Sequence, residues 1–356
     1  MKVLVGGWHP GSVTMTTSVV KELRARGTPT VVAAYGLGYK FFRKYGIEPD
    51  LIVKSADPAT ARQLVGDVRP TTVLTGTSSM PDPKNPHAIE NELTLAARQQ
   101  TGQSILTVGI LGFWENYLSK FAELDLTKTP PGIVKRFKYM RDVVCVVDDR
   151  AFQEMVELGF DPGKLKVTGN PYYAMAAQKR RTYKDGGPPR VLFASDPVQE
   201  YFGTEFGFNE KTILRHTFKA LAEIARERKQ QYVLKIRKHP LEKEDTVLPD
   251  DPMMKVIRDD SGNPHDAILD CMFTVGMVSN MLVEARLLGR CAISAQVNRR
   301  KGAAEQLPTN QKGITSIALT FGELKDQIKA ALDGALKQKE MPVQPDAVNR
   351  IIEELK

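Results

Sequence analysis

The chain has few cysteines, no long apolar run and none of the spacings that mark metal or nucleic-acid modules, and each shortage excludes something. Cys145, Cys271 and Cys291 lie in apolar, strand-like surroundings without metal-ligand spacing, so neither a disulfide framework nor a zinc module is expected. They read as buried free thiols of a reducing compartment. No stretch approaches the ~18 apolar residues of a membrane-spanning helix. The opening MKVLVGGWHP has five residues before Gly6-Gly7, which reads as a first strand and not a secretion signal, so a cytoplasmic protein is expected. Without zinc spacing, a ribonucleoprotein aromatic motif or a helix-turn-helix, nucleic acid is not expected as a partner.

What the chain does have is the composition of a soluble globular protein, 42% apolar and 26% charged, over 356 residues, a length that suits two domains. Its net charge of +8 suits an anionic partner, such as nucleotide phosphate or an anionic membrane surface. A short strand at 2–5 runs into Gly6-Gly7-Trp8-His9-Pro10, followed by a helix to Arg26 and a strand at 30–34. This strand–glycine loop–helix–strand order signals a Rossmann-like domain, with glycines that let a ligand approach the backbone. The GxGxxG spacing and a strand-end acid are missing, which disfavours a dinucleotide dehydrogenase. His9, at the strand's carboxyl end, is a candidate general base or hydrogen-bond donor. The rhythm repeats with a strand at 72–74, a loop at 75–79 and a helix at 89–100, then a strand at 104–111 entering Phe113-Trp114-Glu115-Asn116-Tyr117. That aromatic cluster reads either as a sugar shelf or as the edge of a core. Glu92 and Glu115 are the carboxylates to consider as bases. The run IVKRFKYMR, with Lys135, Arg136, Lys138 and Arg141 alternating with apolar residues, reads as a solvated helix face or a peripheral contact with anionic membrane.

The polar, basic stretch QKRRTYKDGGPP at 178–189 marks a linker. The boundaries expected are a first domain at 1–172, a linker at 173–189, a second domain at 190–340, and a final helix at 341–356 packing back on the first domain. In the second half, strands at 190–194 and 232–236 end in Ser195-Asp196-Pro197 and Arg237-Lys238-His239-Pro240. Lys235, Lys238 and His239 would neutralise a diphosphate at the rim of a parallel sheet. An apolar strand at 272–278 meets Ser279 and Asn280, a helix follows to Leu288, and Gly289 closes it before a strand at 291–294. Such a helix start after a strand is a natural phosphate site. Glu284, in the second turn, is placed to meet a ribose.

The order of Val167-Thr168-Gly169-Asn170-Pro171, Lys235-x-x-Lys238-His239-Pro240 and Ser279-Asn280-x-x-x-Glu284-Ala285 resembles the glycosyltransferase-B superfamily over essentially the whole chain. That group includes nucleotide-sugar transferases, UDP-N-acetylglucosamine 2-epimerases and capsule and sialic-acid-type transferases. The resemblance implies an α/β fold of two Rossmann-like domains facing across a cleft, the GT-B fold. Gly169, Asn170 and Pro171 would form the interdomain element. The second domain would bind the donor nucleotide through Ser195, Lys238, His239, Ser279, Asn280 and Glu284. The first would bind a hydroxyl acceptor, glycan or lipid-linked, with His9 activating it. The implied activity is sugar transfer in polysaccharide or glycoconjugate synthesis, with the nucleotide-sugar donor as substrate and no cofactor, and it is expected to be metal-independent because no DxD-type motif ends a strand in the second half. The alternatives are a sugar-nucleotide 2-epimerase or hydrolase and a non-catalytic nucleotide-binding subunit. An acidic-Ser-Gly-Gly element usual in epimerases is replaced here by Val278-Ser279-Asn280-Met281, and the two-glutamate motif of retaining transferases is not matched.

Overall fold

The computed structural model describes residues 1–77, 87–114, 116–125, 127, 132–184, 186–239, 242, 246–301 and 307–356. It comprises two compact units, Met1–Met175 with Pro342–Lys356, and Ala176–Met341. The first contains β1 (Val3–Gly7), α1 (Pro10–Ala25), β2 (Thr30–Tyr35), α2 (Leu37–Lys44), β3 (Leu51–Val53), α3 (Pro58–Val68), β4 (Thr72–Gly76), α4 (Ile89–Gln99) and β5 (Leu106–Ile110). It continues through α5 (Tyr117–Phe121), β6 (Glu123–Asp125), β7 (Gly132–Lys135), β8 (Val143–Val146), α6 (Asp149–Glu157), β9 (Leu165–Val167) and α7 (Pro171–Ala177), in which the unit boundary falls. The second contains β10 (Arg190–Ala194), α8 (Val198–Phe202), α9 (Glu210–Arg228), β11 (Tyr232–Arg237), β12 (Met254–Arg258), α10 (Pro264–Leu269) and β13 (Phe273–Gly276). It closes with α11 (Asn280–Leu287), β14 (Cys291–Ala295), α12 (Pro308–Gln311), β15 (Ser316–Ala318) and α13 (Phe321–Leu332), and α14 (Ala347–Glu353) belongs again to the first unit.

Among the described residues each unit holds one parallel sheet. The strand order is β3-β2-β1-β4-β5-β8-β9 in the first unit and β12-β11-β10-β13-β14-β15 in the second. Both orders reverse direction at their centre, between β1 and β4 and between β10 and β13, and in open α/β sheets ligands bind outside the carboxyl ends of strands at such points. The strands are near-continuous apolar runs because helices cover both faces. Val191, Phe193, Phe273, Val275 and Ile293 are all fully buried. α9 shows how the sequence specifies an element. Asn209 caps it by accepting from Thr212 N (2.9 Å), and Ile213, Phe218, Leu221 and Ile224 form the buried stripe.

Three local expectations change. Gly6 and Gly7 lie inside β1, not in a ligand loop: a Cβ on Gly6 would meet Leu93 Cδ1 at 2.4 Å, and one on Gly7 would meet Phe42 at 2.7 Å. Their smallness serves helix-on-sheet packing. The run from Ile133 is not a helix. Its start is β7, paired antiparallel with β6. Arg141 is fully buried and Lys138 is ion-paired to Glu123 at 2.6 Å, so neither presents a free cation to a membrane, while Lys135 and Arg136 are exposed. No helix among the described residues is long and apolar enough to cross a membrane. The stretch at 178–189 belongs to the second unit and is tied to it: Arg180 Nε donates to Leu287 O (2.7 Å), and Arg290 Nη1 donates to Arg181 O (2.6 Å).

The final segment completes the first unit. α14 packs on α1, and Thr72 Oγ1 donates to Leu355 O (3.1 Å). Gly169 lets this segment approach: its φ is +85° and an added Cβ would lie 2.4 Å from Gln344 Cβ. Gly169→Ala combines left-handed strain with that clash, so unfolding free energy should fall by about 1–3 kcal/mol. Chemical denaturation read by tryptophan fluorescence checks this.

Candidate functional site

In the second unit the central strands β10 and β13 end beside each other in a polar cluster. Ser195 and Asp196 follow β10, and Val278, Ser279 and Asn280 follow β13. Asp196 Oδ2 accepts from Val278 N (3.2 Å), and its carboxyl also takes the hydroxyl of Ser279. Burial pushes the Asp196 carboxyl up to about 7, against the opposing hydrogen bonds from Ser279 and Val278 and with the help of the Glu242 charge. Ser279 caps α11, its hydroxyl accepting from Met281 N at 3.3 Å, while Asn280 is exposed in the first turn. Ser195 is buried, its N–H donating to Arg237 O (2.9 Å), which ties the end of β10 to the end of β11.

His239 follows β11. Glu242 Oε1 accepts from its N–H (3.0 Å), and the Glu242 N–H donates back to His239 O (3.0 Å). Burial lowers the His239 imidazole's pKa and Glu242 only partly opposes this. At neutral pH this favours a neutral ring that donates a hydrogen bond. Lys238 lies half-buried beside it, and Pro240 is outside the described residues. Lys235 is not available for phosphate. Its ammonium is 3.1 Å from both Asp259 and Asp270, and Arg237 pairs with Asp259 as well. Burial pulls Lys235 down, but the hydrogen bonds to the two carboxylates outweigh it and hold the ammonium above its usual range. Glu284 turns towards the buried His265 of α10, with 3.9 Å between Oε2 and Nε2, and His265 Nδ1 is 3.4 Å from Lys179 Nζ.

In the first unit the strand ends of β1 and β4 are closed by the start of α1. His9 is its N-cap: Nδ1 accepts from Gly11 N at 3.3 Å. Partial desolvation lowers the imidazole's pKa, with the Glu90 charge opposing. A neutral ring whose Nδ1 accepts carries its proton on Nε2, so in this conformation His9 offers a donor to a ligand and acts as a base only if the cap is released. Behind it, buried Glu90 accepts from Trp8 N (3.0 Å) and Ser12 Oγ (2.6 Å). The Arg141 guanidinium supplies the compensating charge. It donates to Tyr139 O (2.6 Å), Asn91 Oδ1 (3.0 Å) and Thr75 Oγ1 (3.5 Å), and burial pulls it down to about 10 against the Glu90 charge. Glu92 is buried and hydrogen-bonded to His87 Nδ1 at 2.9 Å, and Glu115 is outside the described residues. The aromatic cluster is the edge of a core and not a sugar shelf. Trp114 is buried with its Nε1 on Asp148 Oδ1 (2.9 Å), and the Tyr117 hydroxyl donates to Glu154 (2.6 Å). Asn170 bridges strand ends, its amide donating to Gly112 O (2.9 Å) and its oxygen accepting from Tyr172 N (2.9 Å); Pro171 opens α7.

No family model matches the chain and no curated protein matches it in sequence. Solved structures match its backbone over nearly all of its length. The UDP-GlcNAc 2-epimerase of Methanocaldococcus jannaschii aligns with a TM-score of 0.69 at 12% identity, covering 99% of each chain. A putative UDP-N-acetylglucosamine 2-epimerase from Listeria monocytogenes aligns at 0.67 and 14%, covering 99% of this chain and 94% of that one. The calicheamicin glycosyltransferase CalG4 aligns at 0.56 and 14%, covering 100% and 94%. The chain has the GT-B fold. Within it, Asp196, Glu90 and His265 are polar residues at strand ends or helix starts that sequence patterns do not single out. Asp196 had a signal, a Ser-Asp-Pro turn closing an apolar strand, and His265 had Asn263-Pro264 opening its helix.

Proposed function

We propose that this protein is a glycosyltransferase that moves a sugar from a nucleotide-sugar donor to a hydroxyl acceptor, with the second unit holding the nucleotide. The observation that carries this reading is the Asp196–Ser279 cluster at the point where the second sheet reverses its strand order, beside the N-terminus of α11. A phosphate there meets the dipole of the helix start, the exposed Asn280 in its first turn and a carboxyl that burial keeps protonated below about pH 7. His239 and Lys238, at the end of the neighbouring strand, supply further donors. In the reaction the bond between the anomeric carbon and the phosphate oxygen breaks with its electron pair going to that oxygen, and the acceptor oxygen bonds to the carbon. Preorganised donors at the leaving oxygen lower that barrier by about 3–4 kcal/mol each. The acceptor's proton passes to a general base, for which Glu92 and His9 are the candidates. The lack of a DxD strand end supports turnover that chelators do not abolish.

Ser279→Ala should weaken UDP, CMP or dTDP binding by about tenfold, or ~1.4 kcal/mol, in isothermal titration against whichever nucleotide binds. If no nucleotide or sugar nucleotide binds the wild-type protein, the proposal is wrong. A second reading, 2-epimerisation of the donor, is favoured by the higher TM-scores against epimerases, 0.69 and 0.67 against 0.56. Incubation with donor alone separates the two in ¹H NMR: a new 2-epimer supports the second reading, an unchanged donor the first.

A further inference from the structure

Within the first unit, α3, α4, α5, β6 and the pair Lys138 and Tyr139 line a cavity of about 370 Å³, a volume in the range of small-molecule sites. We propose that this cavity binds a neutral, polyhydroxylated six-membered ring, a pyranose. Its walls decide the class of ligand. Glu92, nine-tenths buried or more, reaches it together with its partner His87, and on the other side stands the Lys138–Glu123 ion pair. Arg62 adds a cation, so the formal charges of two carboxylates, Lys138 and Arg62 cancel.

Neither an anion nor a cation is selected by such a wall. An apolar ligand is excluded by a different cost: it would cut these groups off from water and leave their remaining hydrogen-bonding capacity unmet. A ligand rich in hydroxyls meets both signs, donating to carboxylate oxygens and accepting from the ammonium. The rest of the lining, Leu95, Ala96 and Leu124, suits the C–H face that a pyranose presents between its hydroxyl edges. Tyr139 completes the wall, and burial raises its pKa and keeps the phenol a neutral donor. Ring binding here does not depend on the proposed transfer. Calling the ring the acceptor does rest on that reading.

The test uses the full chain and saturation-transfer-difference NMR with methyl α-D-glucopyranoside, glucuronic acid, glucosamine and a linear oligosaccharide of the neutral ring. Transfer to the neutral glycoside, and not to the acid or amine, is expected. Stronger transfer to the terminal ring of the oligosaccharide identifies a glycan as the source, and equal transfer identifies the free sugar. Glu92→Gln should weaken binding by about tenfold. Gln99→Trp, at an exposed position of α4 on the cavity rim, should abolish it by filling the space. No transfer to any neutral pyranose, preference for a charged one, or transfer that survives Gln99→Trp would overturn the proposal. UDP, CMP and dTDP titrated in the same samples report on the second unit, so failure here and failure of the nucleotide reading are told apart.

Discussion

Asp196→Asn should stabilise the second unit at pH 8 and flatten its dependence on pH. An aspartate in the unfolded chain loses its proton near pH 4, whereas burial holds the native carboxyl up to about 7. Between those values the native state keeps a proton that the unfolded state has released. Stability therefore falls as pH rises through this window, by about 1.4 kcal/mol per unit, and levels off once the native carboxyl has ionised. Asparagine keeps an oxygen for the Val278 N–H and carries no charge to desolvate. The two proteins should match near pH 4 and differ by a few kcal/mol at pH 8. Hydrogen exchange of peptides covering β10 and β13, followed by mass spectrometry in the full chain, gives the measurement. The same ionisation bears on ligand affinity. A neutral carboxyl donates to phosphate and a carboxylate repels it, so nucleotide affinity should fall above pH 7 in the wild type only. Parallel pH curves for the two proteins would remove Asp196 from the phosphate site.

Arg141→Met should be the most damaging single change in the first unit, with an expected loss of about 3–5 kcal/mol. Burying a guanidinium is unfavourable in itself, as its lowered pKa reflects. Removing it, however, takes the nearby positive charge from the buried Glu90 and the donors from Asn91, Thr75 and Tyr139 O. Changing both members should therefore cost less than the sum of the separate changes. A cycle of Arg141→Met, Glu90→Gln and the double variant measures this coupling. Both tryptophans, Trp8 and Trp114, lie in the first unit, so their fluorescence during urea denaturation reports on that unit alone. Strict additivity would mean that the two charges do not interact.

Elements with a strong local signal were readable from the chain. The β13–α11–β14 stretch has an apolar run, a Ser279 cap and a terminating Gly289, and the order Asn209 then Ile213, Phe218 and Leu221 marks α9. α2 and β3 carry weaker signals, because α2 starts at Gly36 with no side-chain cap and β3 has only three residues. The polar chemistry was harder to read because its partners are distant in sequence. Val278 is 82 residues from Asp196, and Ser12 is 78 from Glu90. Lys235 looked like a phosphate ligand because the carboxylates that claim it arrive from the neighbouring strand end and from the end of α10. His9 was visible as a strand-end histidine, yet only the folded backbone shows that its Nδ1 is engaged by Gly11.

Because residues 342–356 join the unit begun by residues 1–175, the second unit is an insertion in the first. On the ribosome, the strands of the inserted half emerge as one continuous stretch and can pair before translation ends. The earlier half waits for α14 to cover α1 and for Leu355 to reach Thr72. A fragment of residues 176–341 should accordingly be well behaved by itself. A fragment of residues 1–175 should need residues 342–356 supplied, either fused through a short loop or added as a peptide.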